Sequence, residues 1–157
     1  MDIGQAIHQL PLAVFLRTNA IAYPLTESLH LVSIALLFGS IAVVDLRILG
    51  LSRTLPLRQL AQHALPWTVL AFMGAVATGS LLFLAHAADL IGNRVFIAKL
   101  GLIFLAGINA VMFHTGPYVN VAAWDVGVPP PMSARIMAAA SMLMWVGVIF
   151  CGRWIAY

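Results

Sequence analysis

Four long apolar stretches, separated by short polar connections, dominate this sequence of 157 residues. A helix needs about 20 consecutive apolar residues to cross the hydrocarbon core of a bilayer, so each stretch is long enough to span a membrane. The sequence therefore predicts an all-α fold, an integral membrane four-helix bundle that forms a single domain over residues 1–157. We expect the spans at about residues 24–47, 64–86, 95–114 and 133–154.

The composition agrees with this prediction and excludes several other classes of protein. Only 8% of the residues are charged, whereas a soluble domain carries about a quarter. The formal net charge is +3 with 8 Lys and Arg, and because these cations are scattered we expect membrane lipid, not nucleic acid, as the partner. The sole cysteine, Cys151, excludes a disulfide framework and haem attached covalently through paired cysteines.

The N-terminal segment and the loops indicate how the chain is placed in the membrane. Apolar residues between Ile3 and Val14 fall at helical spacing, which predicts a short interfacial helix within residues 1–20. The first connection carries three arginines and the second carries only Arg94. Because arginine-rich loops stay in the cytoplasm, we expect the first connection inside and both termini outside.

Four histidines lie in or at the ends of the predicted spans, and they fall on two levels. His30 in the first span and His86 at the end of the second lie toward the outer surface. His63 and His114 lie toward the inner surface. Ionisable residues inside a membrane are costly and mark functional sites by default, so we expect each pair to ligate a cofactor.

Haem b is the cofactor that this pattern favours, since two imidazoles on facing helices can clamp a haem iron from both sides. Gly79 precedes His86 by seven residues, and Gly107 precedes His114 by seven. Two helical turns separate each glycine from its histidine, so both lie on one face, where a missing side chain leaves room for a porphyrin. We expect one or two bis-His haems.

Two cations and one amide near these levels suggest further contacts. Arg94 and Lys99 open the third span near the depth of His30, where they would pair with haem propionates. The alternative for Lys99 is that its ammonium reaches the lipid headgroups. Asn109 is expected to hydrogen-bond across helices.

Other interpretations of the same residues stay open. Glycines pack any membrane helices closely, and histidines at helix ends also suit the headgroup region. Glu27 and Asp89 each lie three residues from an outer histidine, so the four side chains would form a bare copper, iron or zinc site. A structural subunit without a cofactor is the third interpretation.

The sequence resembles a family of small bacterial four-helix inner-membrane proteins over nearly its whole length. More distantly it is similar to the copper-resistance D membrane domain and to di-haem b-type cytochromes. The family likeness implies a four-helix architecture and a bacterial inner-membrane location, where the outer side expected for both termini is the periplasm. The distant likeness implies haem or copper at His30, His63, His86 and His114. The resemblance is carried by Tyr23-Pro24, Glu27, His30, Gly39, Val44-Asp45-Leu46-Arg47, Leu49-Gly50, Leu65-Pro66-Trp67, Thr78-Gly79, Lys99, Asn109, His114 and Gly152-Arg153-Trp154-Ile155-Ala156-Tyr157.

Taken together, the residues predict a membrane b-type cytochrome that transfers electrons to or from quinone or a partner redox protein. Filling both axial positions leaves no open site on the iron, which favours electron transfer over oxygen activation. No phosphate-binding glycine loop or paired nucleophile and base is present in the sequence, so a stand-alone enzyme is the weaker expectation. Apolar helix faces also suit a homo-oligomer.

Overall fold

The computed structural model describes residues 3–155, and every regular element within that range is a helix. The α-helices are α1 Ile3–His8, α2 Pro11–Thr18, α3 Ala22–Leu49, α4 Leu57–Ala85, α5 Ala87–Leu90, α6 Arg94–Thr115 and α7 Met132–Trp154, and a 3-10 segment, Pro117–Ala123, follows α6.

Four of these helices, α3, α4, α6 and α7, are long and apolar enough to cross a membrane. Their lengths are 28, 29, 22 and 23 residues, and about 20 residues suffice for the hydrocarbon core. The all-α prediction with four membrane-spanning helices is therefore confirmed, and the fold is that of a multi-pass membrane protein.

Two antiparallel helix pairs, α3 with α4 and α6 with α7, build the bundle, and contacts between α3 and α7 join them. Small and hydroxylated residues let α3 and α4 approach closely: the Ser40 and Thr68 hydroxyls lie 2.8 Å apart, and a Cβ added to Gly74 would lie 2.8 Å from Ser33 Oγ. In the second pair, Asn109 Nδ2 of α6 donates to the carbonyl of Met137 on α7 at 3.1 Å, which confirms its expected hydrogen bond across helices.

Arg47 organises the connections at the end of the bundle where α3 finishes. Its side chain is 2% exposed and donates to the carbonyls of Leu55, Arg53 and Asp125 at 2.8, 3.1 and 2.7 Å. Because these acceptors lie in two different connections, Arg47 fastens the α3–α4 loop to the loop before α7. A cluster of buried apolar residues lies at this end: Ile48, Leu57, Phe113, Val121, Trp124, Ala134 and Ala138.

The opposite end of the bundle is covered by the N-terminal helices. The expected single helix is two short ones, because Pro11 cannot continue α1 and instead begins α2. Arg17 of α2 donates to the carbonyls of Ala85 at 3.1 Å and His8 at 2.9 Å. Those oxygens lie at the ends of α4 and α1, where backbone acceptors lack partners within the helix. Whether α1 and α2 lie on a membrane surface stays a prediction.

Candidate functional site

His30 packs between α3 and α4, half-buried, with its ring against Gly79. Its Nδ1 lies 2.8 Å from the hydroxyl oxygen of Thr78. A Cβ added to Gly79 would come within 3.0 Å of His30 Cε1, so the glycine provides the space for the imidazole. The imidazole of His30 therefore occupies the space that the missing Gly79 side chain leaves.

The hydrogen bonds around His30 fix which ring nitrogen carries the proton. The Thr78 hydroxyl has one hydrogen, and its 2.6 Å contact with the Gly74 carbonyl uses it. With that hydrogen on the Gly74 carbonyl, His30 Nδ1 is the donor to Thr78 Oγ1. In this tautomer Nε2 is unprotonated and carries a lone pair, the form of histidine that ligates metals.

Lys99 of α6 brings a cation to the same level. Its Nζ lies 3.5 Å from the position of a Cβ on Gly152 of α7, and electrostatic interactions link it to His30 and Cys151. We call His30, Thr78, Gly79 and Lys99 the His30–Lys99 site. Three of its members were predicted from the sequence, and α3, α4 and α6 contribute to it.

His86 lies apart from this site. Its ring packs edge-on against Tyr23 at the start of α3, with centroids 5.3 Å apart. His86 follows Gly79 by two helical turns, a rise of about 10 Å, and Gly79 marks the level of the His30 ring. Two nitrogens on opposite sides of one metal ion lie about 4 Å apart. The structure therefore does not bring the predicted outer pair to one iron.

The predicted inner pair is also divided between two places. His63 is exposed and lines a groove of about 330 Å³ between α3 and α4, together with Gly39, Ser40 and Trp67. His114 is exposed on α6, and its ring lies among those of Phe113 and Tyr118. Its Nδ1 is 2.8 Å from the Ala110 carbonyl, which only accepts, so Nε2 is again the nitrogen with the lone pair.

Two other predicted site residues have few neighbours. A Cβ added to Gly107 would meet nothing within 4 Å, so this glycine opens a face without a packed partner there, unlike Gly79. Arg94 is exposed at the start of α6. Of the two cations expected beside the outer histidines, Lys99 is the one whose charge acts on His30.

The alternative of a bare metal ion gains no support from the geometry. Within residues 3–155 no three His, Cys, Asp or Glu side chains are close enough to hold a metal ion. Glu27 and Asp89 are both exposed. The four proposed ligands thus stay apart in this part of the chain.

Thr78 was not predicted to act on His30, although a hydroxyl residue next to Gly79 was visible in the sequence. The periodicity of the sequence places a residue on a helix face, but only the register between α3 and α4 pairs Thr78 with His30.

A polar pocket at the start of α3 combines residues as distant in sequence as Arg17 and His86. No local motif links such positions.

Comparison with known proteins places almost the whole chain in one family. A family model described as a family of unknown function, DUF6644, matches residues 16–157. No curated protein and no solved structure matches the chain. Neither the copper-resistance D domain nor a di-haem cytochrome is found among the matches. The matched range includes all four long helices and the whole His30–Lys99 site.

Proposed function

The chain belongs to the DUF6644 family of unknown function, and we propose that it is a membrane-embedded b-type cytochrome in which His30 is an axial ligand of haem. The observation that carries this proposal is the 2.8 Å contact between His30 Nδ1 and Thr78 Oγ1. Thr78 accepts from Nδ1 and leaves the Nε2 lone pair for iron. Metal-ligating histidines characteristically donate their other ring N–H in this way, which fixes the ring orientation.

Lys99 supports the same proposal through its charge. The interactions of its ammonium reach His30 and Cys151, and no carboxylate within the described residues is among them. A cation left without an anion in a membrane is costly. The two carboxylates of a haem would supply that anion, and Lys99 is long enough to meet them from α6.

Haem bound here would supply a one-electron couple between ferric and ferrous iron, whose potential depends on ligands, burial and nearby charge. His30 would hold the iron, Thr78 would keep the ligating nitrogen unprotonated, and Lys99 would balance the propionates. We propose quinone or a partner redox protein as the electron donor or acceptor, as the sequence predicts, and the bacterial inner membrane as the location.

The experiment is an optical spectrum, reduced minus oxidised, of protein purified from haem-replete cells, with haem quantified per chain. We expect a Soret band and a sharp α band in the wild type, and loss of both in His30→Ala. The control is His8→Ala, which removes an imidazole at α1, away from the His30–Lys99 site. A haem-free wild type, or full haem content in His30→Ala, would contradict the proposal.

Carbon monoxide tests the second axial position. Because His86 lies two turns from the His30 level, we expect His86→Ala to keep more haem than His30→Ala, and reduced wild-type protein to bind carbon monoxide. A low-spin spectrum that carbon monoxide leaves unchanged, with equal haem loss in both variants, would instead support the bis-His pair and a movement of the α4 end.

A further inference from the structure

A polar pocket of about 430 Å³ lies at the junction of α2, α3 and α4, outside the His30–Lys99 site. Its volume is within the range of small-ligand pockets. The residues that line it are Arg17, Asn19, Ala20, Tyr23, Pro24 and His86. We call this the Arg17 pocket.

The polar groups of the Arg17 pocket are chiefly donors. Arg17 gives one bond from each terminal nitrogen to neutral carbonyls, so further N–H groups are left, and no carboxylate within residues 3–155 is paired with it. Asn19 Oδ1 already accepts from the backbone of α3, at Ile21 and Ala22, which leaves its amide N–H groups. None of the described residues that line the pocket is a carboxylate, and Glu27, which acts electrostatically on Tyr23, is exposed on the next turn of α3.

Exposed apolar side chains lie near the lining residues in sequence, on α2 and at the start of α3, and we call them the rim. Ile21 and Leu25 on the α3 side are 73% and 55% exposed, and Leu12 and Phe15 of α2 are 48% and 53% exposed. The pocket lies where α3 begins and α4 ends, which is the boundary between hydrocarbon and headgroups for helices that span a membrane. A ligand suited to this position has an oxyanion that the donors of the pocket can bind and an apolar tail that can pack against the rim.

We propose that the Arg17 pocket binds the phosphate of an anionic phospholipid, with an acyl chain along Ile21 and Leu25. The guanidinium of Arg17 matches phosphate geometry, and the imidazole of His86, the phenol of Tyr23 and the amide of Asn19 supply further donors. The bound lipid fastens α2 to the ends of α3 and α4.

The test uses delipidated full-length protein in a neutral detergent with three probes: phosphatidylglycerol, phosphatidylcholine and inorganic phosphate. Native mass spectrometry counts bound lipid, and thermal unfolding measures stabilisation. We expect one phosphatidylglycerol per chain, bound at least about tenfold more tightly than phosphatidylcholine, because the trimethylammonium of choline cancels the charge of the same phosphate group and is repelled by Arg17. Equal binding of both lipids would overturn the proposal, and stabilisation by inorganic phosphate alone would show a site for a free oxyanion.

Arg17→Gln should reduce phosphatidylglycerol affinity by about tenfold or more, while Arg94→Gln, which removes an exposed cation outside the pocket, should leave it unchanged. Arg17 also holds the ends of α1 and α4, so a second variant is needed in case Arg17→Gln fails to fold. Tyr23→Phe combined with His86→Leu removes both of these donors from the pocket and keeps Arg17. Unchanged lipid preference in this double variant, or equal binding of a neutral quinone, would overturn the assignment.

Discussion

At the scale of single residues, Thr78 is the side chain on which the proposed chemistry of His30 depends. Thr78→Val keeps the shape of the side chain and removes the acceptor for Nδ1, so the imidazole loses its fixed tautomer and orientation. Loss of such a partner costs about 10- to 100-fold in metal affinity. We therefore expect weaker haem retention in Thr78→Val, measured by titrating haem into apoprotein. Ser80→Ala is the matched control, because Ser80 donates only to the Val76 carbonyl and is exposed; equal affinities in the two variants would contradict the role of Thr78.

The two glycines that share one sequence spacing should respond differently to alanine. In Gly79→Ala the new Cβ would lie 3.0 Å from His30 Cε1, so the ring must move, and we expect reduced haem content. In Gly107→Ala the Cβ meets nothing within 4 Å, and alanine favours a helix over glycine by about 1 kcal/mol, so stability should be equal or slightly higher. Haem content and thermal unfolding of both variants check this, and the reverse order would show that Gly107 faces the cofactor.

At the scale of helices and loops, Arg47 makes the largest contribution to one end of the bundle. Arg47→Leu removes three part-buried hydrogen bonds at the junction of two loops. Bonds to charged groups contribute about 1.5 to 3 kcal/mol each, so we expect a loss of more than about 2 kcal/mol in the free energy of unfolding in detergent. Arg58→Gln is the control, since the Arg58 side chain is exposed and its backbone, not its guanidinium, bonds to Asp125. A loss of similar size in both variants would show a general charge effect.

The helices were predictable from the sequence because long apolar runs bounded by turn residues have few other stable forms in lipid. The helix ends were less predictable. The second span was expected to begin at 64, close to Pro66, but α4 already begins at Leu57 and contains Pro66 within the helix. Membrane helices tolerate such a proline. The position of each histidine along its helix also followed from counting residues, whereas the partner of each ring depends on how α3 and α4 are aligned. His30 meets Thr78 and Gly79, and His86 meets Tyr23, and neither pairing has a signature in the sequence.

At the scale of the whole molecule, most of the side-chain surface of the long helices faces outward. In the most apolar 18-residue stretch of each long helix, 6% to 22% of the residues are buried. Large apolar side chains such as Phe104 and Leu143 are 70% and 74% exposed. A soluble protein would aggregate through such surfaces, whereas lipid tails solvate them. Polar contacts then carry much of the specificity between helices, as the Ser40–Thr68 and Asn109–Met137 pairs do here.

The fold also predicts which connections share a side of the membrane. The α3–α4 loop and the loop before α7 touch, since the Gly127 N–H donates to the Arg53 carbonyl at 3.1 Å. In a background of Cys151→Ser, we expect Thr54→Cys and Val126→Cys to react with a membrane-impermeant thiol reagent from the cytoplasmic side, where arginine-rich loops reside. Ala20→Cys and Gly92→Cys should react from the opposite side. Labelling of Thr54→Cys and Val126→Cys from different sides would contradict four crossings, and labelling of both from the periplasm alone would reverse the predicted orientation.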